Sequence, residues 1–138
     1  MKPIFIAFFG LSLLAGRVQD NKTALLSQAW KQVGVKLSGQ AYKAVDGQAA
    51  ERLFIKDDGT YEKILYGKLH VKGRWQFDTD PSKLKFSVTE MNKQAVSGMS
   101  LEQSKATDSL LALTPDTLID ARMASYGHDD WYYVRIRK

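Results

Sequence analysis

Two histidines, one of them followed by two aspartates, are residues of this 138-residue chain whose types suit acid–base or metal chemistry. His128 is followed directly by Asp129 and Asp130, and His70 stands beside a predicted strand. Adjacent side chains in a turn rarely converge on one ion, whereas a metal site needs several ligands in a fixed geometry. We therefore expect a solvated turn at His128 and a surface or rim position for His70, and we predict no metal site.

Other catalytic signatures are missing from the sequence. The chain contains no cysteine, which excludes disulfides, cysteine-ligated zinc and a thiol nucleophile. It has no Gly-x-Ser-x-Gly, no phosphate-binding loop and no dinucleotide-binding glycine turn. Asp57 and Asp58 abut Gly59, so they form a turn that points into water rather than an acid–base pair. We predict that the protein is not an enzyme and has no cofactor; a convergent cluster of titratable groups deep in a cleft would favour catalysis instead.

The charge pattern argues against a nucleic-acid partner. The formal net charge is +5, but basic and acidic residues are interspersed, as in Lys56-Asp57-Asp58. Non-specific nucleic-acid binding requires a concentrated basic patch, which this pattern does not supply.

The N-terminus has the layout of a secretory signal peptide. Lys2 precedes an apolar run from Ile4 to Ala15, and the small residues Ala15 and Gly16 suit cleavage. A helix of this length spans about 18 Å, well short of a ~30 Å hydrocarbon core. We predict a signal peptide at 1–16, a polar leader at 17–24 and one domain at 25–138. The protein would then be exported to the periplasm, the cell surface or the medium, without stable membrane insertion.

The mature chain shows the two-residue period of half-buried β-strands. Val71 to Phe77 alternates apolar with charged residues, the turn around Pro81 follows, and Leu84 to Val88 alternates again. This pattern directs Trp75, Phe77 and Phe86 inward, and Gly73 marks a bend or bulge. The eight predicted strands are 30–37, 50–56, 61–66, 71–78, 84–88, 109–113, 117–123 and 131–137.

Some details stay open in the sequence. The turn at Gly59 permits two registers, with either Leu53 opposite Ile64 or Ile55 opposite Tyr61. The connection over 90–107 is long and irregular.

The last strand has two faces of different apolarity. Its more apolar face predicts that Tyr132, Val134 and Ile136 point inward, after a turn at 125–129. Tyr132 would then offer its hydroxyl to a bound polar group, although a buried tyrosine that is satisfied within the core is the commoner case.

Several segments together resemble the lipocalin-like domains of exported bacterial proteins. They are Trp30 in the first strand, Phe54-Ile-Lys-Asp-Asp-Gly-Thr-Tyr61, Gly73-Arg-Trp-Gln-Phe77, Leu84-Lys-Phe86 and Leu113-Thr-Pro-Asp-Thr-Leu118. The resemblance covers roughly residues 25–137. The wider family carries Gly-x-Trp in its first strand, where this chain reads Gln28-Ala29-Trp30.

The resemblance implies an all-β, antiparallel up-and-down barrel of about eight strands with one open end. It also implies that a late arginine, Arg135 or Arg137, packs across Trp30 by a cation–π contact. A barrel of eight strands is either filled by its own side chains or just able to hold one small ligand.

Two functions compete at this point. The first is an exported protein that binds a small apolar or amphipathic molecule inside the barrel. The second is an interaction or inhibitor-type barrel with a filled interior, which acts on a protein partner through exposed apolar residues of its loops. For the first function the candidate ligand-binding residues are Trp75, Phe77, Phe86, Phe54 and Tyr132, and the structural residues are Trp30, Gly59, Gly73 and Arg135.

Overall fold

The computed structural model describes residues 21–95, 105–124 and 127–137 of the chain. The predicted signal peptide at 1–16 lies outside these ranges, as does the beginning of the predicted leader, 17–20.

A short helix precedes the barrel. Residues 21–26 are helical, and Leu26 at the end of the helix is fully buried. The Leu26 carbonyl accepts a 3.0 Å hydrogen bond from the indole Nε1 of Trp30. This bond ties the helix to one end of the barrel, which we call the helix end. None of the described helical segments is long and apolar enough to cross a membrane.

Within the described residues, ten antiparallel strands follow the helix, and eight of them close into a barrel. Successive long strands pair in chain order, and β10 pairs back onto β1. The two-residue strand β2 pairs with β1, and the two-residue strand β7 pairs with β6. The predicted up-and-down barrel of about eight strands is confirmed. The strands are β1 Ala29–Lys36, β2 Lys43–Ala44, β3 Arg52–Ile55, β4 Thr60–Leu65, β5 Leu69–Phe77, β6 Lys83–Met91, β7 Gln94–Ala95, β8 Lys105–Leu113, β9 Thr117–Ala124 and β10 Gly127–Arg135.

The end opposite the helix, which we call the loop end, carries the longer connections. The β1–β3 connection contains β2 and a 3₁₀ helix at Gly47–Ala49. The β6–β8 connection contains β7, and its residues 96–104 lie outside the described part of the chain.

Alternation of burial follows the predicted period. On β5, Val71, Gly73 and Trp75 are buried, whereas Lys72 and Arg74 are exposed. Each strand therefore gives one row of side chains to the interior and one to water.

Gly73 lies where the sheet bends. The register of β5 against β6 shifts between Lys72 and Gly73. A Cβ atom at Gly73 would collide with the Ser87 carbonyl oxygen and the ring of Tyr61. Only glycine allows this close approach, which agrees with the bend that the sequence predicts.

The hairpin around Gly59 adopts the second of its two permitted registers. Ile55 pairs with Tyr61, and Leu53 pairs with Lys63. Gly59 has a φ of 86°, a left-handed conformation that side chains disfavour. The consequence of this register is that Tyr61 and Lys63 share the inner face with Leu53 and Ile55.

The prediction for the last strand was wrong in both its start and its facing. β10 begins at Gly127, so the predicted turn at 125–129 is in part strand. Tyr133 is 0% exposed, whereas Val134 is 39% exposed. The inner row is therefore that of Trp131 and Tyr133. Apolarity misled the prediction because this row borders charged groups inside the barrel.

Candidate functional site

The aromatic residues predicted to face inward form part of a packed core at the helix end. Trp75 is 7% exposed, and its Nε1 donates to the Lys56 carbonyl at 2.8 Å. Its ring contacts that of Phe77 edge-on at a centroid distance of 5.5 Å, and Phe86 contacts Tyr61 in the same way at 5.0 Å. Their inward facing is as predicted, and their contact with a ligand stays a prediction. This helix-end core comprises Leu26, Trp30, Leu53, Ile55, Tyr61, Trp75, Leu84, Phe86, Leu118 and Tyr133.

Phe54 does not face the interior. Its neighbours Leu53 and Ile55 are the buried residues of β3, so Phe54 points outward. There it lines a surface depression of about 760 Å³ together with Pro115 and Ile136. The prediction that Phe54 lines the barrel interior was wrong, because the hairpin register had not been fixed by the sequence.

Tyr132 also lies on the outer surface. It contacts the exposed ring of Tyr42 edge-on at 5.1 Å, and Tyr42 covers Gly34, where a Cβ atom would collide with it. The register of β1 against β10 shifts between Gln32 and Gly34, which turns Gly34 to the same side as its partner Tyr132. Tyr132 therefore does not offer its hydroxyl to the barrel interior.

Arg135 and Trp30 are register partners on neighbouring strands. The Arg135 amide donates to the Asp116 carbonyl at 3.0 Å, and Arg135 is exposed. In the described part of the chain, the arginine stacked on a tryptophan is Arg122, whose guanidinium carbon lies 3.9 Å from the centroid of the Trp131 ring.

Both histidines are exposed and paired with a carboxylate. His128 Nδ1 lies 2.6 Å from Asp130 Oδ1, and His70 Nδ1 lies 3.6 Å from Glu62 Oε1. His128 and Asp130 lie two residues apart in β10, so their side chains meet on a strand rather than in the expected turn. Over the described ranges, no three His, Asp or Glu side chains are grouped to hold a metal ion.

The interior contains a cluster of charged side chains that the sequence reasoning missed. It lies on the loop-end side of the helix-end core: Glu51 immediately precedes β3, and Arg122 is near the loop-end terminus of β9. Three carboxylates face two cations. This charged cluster comprises Glu51, Lys63, Asp108, Asp120 and Arg122.

Glu51 is the centre of the charged cluster. Its Oε2 accepts a 2.9 Å hydrogen bond from Arg122 Nη2 and a short one from the Tyr133 hydroxyl. Its Oε1 lies 3.7 Å from Lys63 Nζ and has no hydrogen-bond partner among the described residues. Burial alone would raise the pKa of Glu51, but Lys63 and Arg122 hold it below its usual range. Glu51 is therefore ionised.

Asp120 has the opposite electrostatic environment. Burial, a hydrogen bond with Asp108 and the charge of Asp108 raise its pKa well above the usual value. Its Oδ2 lies 3.5 Å from Arg122 Nε, while its buried Oδ1 has no hydrogen-bond partner in the described part of the chain. A proton on Asp120 turns it into a donor and balances the three carboxylates against the two cations.

The two cations are the more accessible members of the charged cluster. The side chains of Lys63 and Arg122 are 16% and 25% exposed, against 2% for Glu51. Arg122 uses Nε and Nη2 toward its neighbours, and in the described residues Nη1 makes no hydrogen bond. Burial and the charge of Arg122 lower the pKa of Lys63.

Beside the charged cluster and toward the loop end, the inner wall also carries apolar side chains: Val71 pairs with Lys63, and Trp131 pairs with Asp120. Inward positions on β4, β5, β6 and β10 carry aliphatic or aromatic side chains, most of them only half-buried. This loop-end wall comprises Leu65, Leu69, Val71, Val88 and Trp131. The interior therefore changes from a packed apolar core at the helix end to a region where charged and half-buried apolar side chains lie side by side.

A signal for the charged cluster was present in the sequence. Lys63 interrupts the inward row between Tyr61 and Leu65, and Asp120 and Arg122 share one face of β9. Charged residues at inward positions of a strand are the sign of a buried polar network, because a lone buried charge is too costly. Assigning those positions required the register.

Solved structures resemble the barrel. A lipocalin-like protein from Bacteroides uniformis ATCC 8492 has a TM-score of 0.58, with 12% identity over 81% of this chain and 99% of that one. An uncharacterized protein from Bacteroides eggerthii DSM 20697 has a TM-score of 0.56, with 8% identity over 79% and 98%. No protein-family model and no curated protein sequence matches the chain. At such low identity the similarity is one of fold, and with the closed eight-stranded barrel it shows that this chain has a lipocalin-like fold.

Proposed function

We propose that the protein binds a small amphipathic molecule inside the barrel, at its loop end. The observation that carries the proposal is the half-buried loop-end wall next to the charged cluster. At the helix end, by contrast, the core is packed with the protein's own side chains. An apolar wall with a few polar groups at its base has the composition of a small-molecule site.

The orientation of the ligand follows from that arrangement. A polar group of the ligand meets the charged cluster at mid-barrel, and its apolar part lies along Leu65, Val88 and Trp131. Trp75, Phe77 and Phe86 then form the floor beneath the charged cluster rather than the wall that contacts the ligand.

The test combines native mass spectrometry of protein from its own host with displacement of a fluorescent fatty-acid probe. We expect a co-purified mass or a displaceable probe with one site per chain. Finding neither would exclude a carrier and favour the second candidate below.

A matched pair of variants locates the site. Leu65 points inward at the loop end, whereas its neighbour Ile64 points outward next to Arg52. We expect Leu65→Trp to abolish probe binding by filling the interior and Ile64→Trp to leave it unchanged. Equal effects of the two substitutions, with both proteins folded, would contradict a site inside the barrel.

The second candidate is a barrel that binds a protein through its loops. Tyr42 in the β1–β3 connection is 51% exposed and Tyr66 in the β4–β5 turn is 69% exposed, both at the loop end. Exposed aromatic residues are common at protein interfaces. Residues 96–104, half of the connection over 90–107, lie outside the described residues. Loss of a partner with Tyr42→Ser and Tyr66→Ser, without loss of probe binding, would favour this candidate.

We infer a binding protein rather than an enzyme, although titratable groups do converge inside the barrel. A general acid or base must reach the proton that it transfers. The carboxylates of the charged cluster are at most 6% exposed and engage Arg122, Lys63 or each other.

We also propose export, with cleavage after the signal peptide at 1–16. The support is the apolar run from Ile4 to Ala15 behind Lys2. Intact mass measurement of protein from the periplasmic and extracellular fractions tests this directly. A mass that retains Met1 to Gly16 in those fractions, or recovery only from the cytoplasm, would contradict it.

A further inference from the structure

A surface depression on the outside of the barrel, at its helix end, has an apolar floor. It has a volume of about 760 Å³ and lies where β1 and β3 meet the β8–β9 turn and the residues after β10. We call it the helix-end depression. Its floor consists of Phe54, which points outward from β3, with Pro115 and Ile136. Phe54 and Ile136 are only half-buried and Pro115 is exposed, so the protein leaves this apolar surface uncovered.

Positive charge dominates the lining of the helix-end depression. Lys56, Arg135 and Arg137 line it, and Asp116 is the one carboxylate among its described lining residues. Arg137 is paired with Asp116. Among the described residues, Lys56 and Arg135 form no ion pair, although both are exposed at the rim. The lining therefore has a formal charge of +2, with two cations free to meet an anion.

The carboxylates nearest in sequence to Lys56 lie outside the helix-end depression. Asp57 and Asp58 follow Lys56 in the β3–β4 turn, but neither lines the depression. Asp58 Oδ1 accepts hydrogen bonds from the amide and the hydroxyl of Thr60, at 2.9 and 2.6 Å, so it is engaged within its own turn. Lys56 also borders a depression on the β4 side, where the two glutamates pair with other residues.

The exposure of the lining indicates which kind of molecule fits. Small-molecule sites enclose most of the surface of their ligand. Lys56, Pro115, Asp116, Arg135 and Arg137 are all exposed, so a small molecule in the depression would stay largely in water. A protein segment that places one side chain in the depression also covers the rim around it. The helix-end depression therefore fits an anchor residue of a protein partner.

The apolar surface continues from the helix-end depression along β10. The Ile136 amide donates to the Ala29 carbonyl at 2.8 Å, so Ile136 extends the outward row of β10 beyond the end of the strand. Val134 and Tyr132 lie in the same row, and Val134 is 39% exposed. From Tyr132 to Ile136 the row is about 13 Å long. An extended segment of about four residues matches that length.

We propose that the helix-end depression binds an acidic segment of a protein partner. The segment places an apolar side chain on Phe54 and Ile136 and its carboxylates against Arg135 and Lys56. Arginine and carboxylate form charge-assisted hydrogen bonds, and opposite charges favour the encounter of the two proteins. This surface lies at the opposite end of the barrel from the proposed ligand site and does not depend on it.

Nuclear magnetic resonance titration of the isotope-labelled protein tests the proposal with three synthetic hexapeptides. Their ends are capped, and their sequences are Glu-Glu-Leu-Phe-Glu-Glu, Glu-Glu-Ser-Ser-Glu-Glu and Lys-Lys-Leu-Phe-Lys-Lys. The first has both acidic and apolar residues, the second lacks the apolar pair, and the third has the opposite charge. The amide signals of Phe54, Arg135 and Ile136 report on the helix-end depression, and those of Lys72 and Arg74 report on the outer surface of β5.

We expect the acidic apolar peptide to shift the signals of Phe54, Arg135 and Ile136. It should bind about tenfold more tightly than either comparison peptide, because only it combines both kinds of contact. Its affinity should fall in about 0.5 M salt, since exposed charges are screened. Equal binding of either comparison peptide, shifts confined to β5, or no shift at millimolar peptide would overturn the proposal.

Matched variants locate the contacts. Arg135→Glu should weaken the acidic apolar peptide about tenfold, whereas Arg74→Glu, at an exposed arginine of β5, should change its affinity by less than about twofold. Phe54→Ser should also weaken it about tenfold, and Ile64→Ser, at an outward residue in a different depression, should not. Ile136→Ser replaces Phe54→Ser if that variant does not fold. Equal effects of the two arginine variants would show that only net charge matters and would overturn the proposal.

The fluorescent fatty-acid probe separates this surface from the barrel interior. Arg135→Glu should leave probe binding unchanged, because Arg135 lies at the helix end and the proposed ligand site lies at the loop end. Absence of probe binding in the native chain would contradict the ligand site alone. Loss of both peptide and probe in a folded Arg135→Glu variant would show that the two sites are one and would overturn a separate protein-binding surface.

Discussion

The two halves of the barrel interior are built on different physical principles. Toward the helix end, Trp30, Trp75 and Leu84 are at most 7% exposed and pack against apolar neighbours. Toward the loop end, Glu51, Lys63 and Arg122 are held by ion pairs and hydrogen bonds. Apolar packing is non-directional, so an apolar side chain needs no specific partner. A buried charge, by contrast, must be paired with a specific group. We infer that the first half holds the fold together and the second half carries the specificity.

The largest effect should come from the helix-end core. Trp75→Ala removes a buried ring and the hydrogen bond to the Lys56 carbonyl, so we expect a loss of roughly 3–5 kcal/mol in the free energy of unfolding. Urea denaturation measures this loss. The exposed neighbour Gln76→Ala should change stability by less than about 0.5 kcal/mol. An unchanged unfolding midpoint for Trp75→Ala would remove the contrast between the two halves.

Removal of the central carboxylate of the charged cluster should have the next largest effect on the free energy of unfolding. Glu51→Gln removes the ionised group that lies nearest to Arg122 and pairs with Lys63, and we expect a cost of roughly 2–3 kcal/mol near neutral pH. Because the folded-state pKa of Glu51 is lowered, its contribution is complete above the usual carboxyl range and is lost as pH falls. The stability gap between native chain and variant should therefore narrow in acid. A gap independent of pH would show that Glu51 acts by shape alone.

Neighbouring tyrosines of β10 test the boundary between interior and surface. Tyr133→Phe deletes a buried hydroxyl bonded to Glu51 and Arg122, which we expect to cost about 1–2 kcal/mol. Tyr132→Phe on the outer face should stay within about 0.5 kcal/mol of the native chain. Thermal unfolding of both variants compares them directly. The reverse order would mean that the facing of β10 is wrong.

The smallest expected effect has the opposite sign. Asp120→Asn should stabilise the protein by about 1 kcal/mol at alkaline pH, because the native side chain must be ionised in a buried site there. The folded-state pKa of Asp120 is raised, so its cost grows as pH rises above the usual carboxyl range, is complete above the folded-state pKa, and vanishes in acid. Unfolding curves across this pH range follow the gain. A gain that is constant with pH would argue against a proton on the Asp108–Asp120 pair.

The β5–β6 hairpin around Pro81 shows how much a local sequence pattern can predict. Alternation over Val71–Phe77 and Leu84–Val88 predicted both strands and the inward facing of Trp75 and Phe86 correctly, because one face is plainly apolar. The bend at Gly73 also followed from a glycine inside a strand pattern. Where the contrast between faces is strong, a two-residue period is sufficient.

Phe54 and Tyr132 show where that reasoning failed. Both are aromatic and both were assigned to the interior, yet both lie on the outer surface. The prediction for Phe54 depended on the register of the hairpin around Gly59, which decides which residues of β3 and β4 lie opposite each other. The prediction for Tyr132 assumed that the more apolar row of the last strand faces inward. That rule does not hold next to the charged cluster.

Composition and periodicity by themselves determined an all-β chain of about eight antiparallel strands and the packed aromatic residues of one half. These properties depend on neighbours within a strand or hairpin, so they can be read along the chain. Closure of β10 onto β1 and convergence of Glu51, Lys63, Asp108, Asp120 and Arg122 were decided only by the tertiary structure. These residues come from β4, β8, β9 and the residue before β3, and they meet because the barrel register places oppositely charged groups together in the interior.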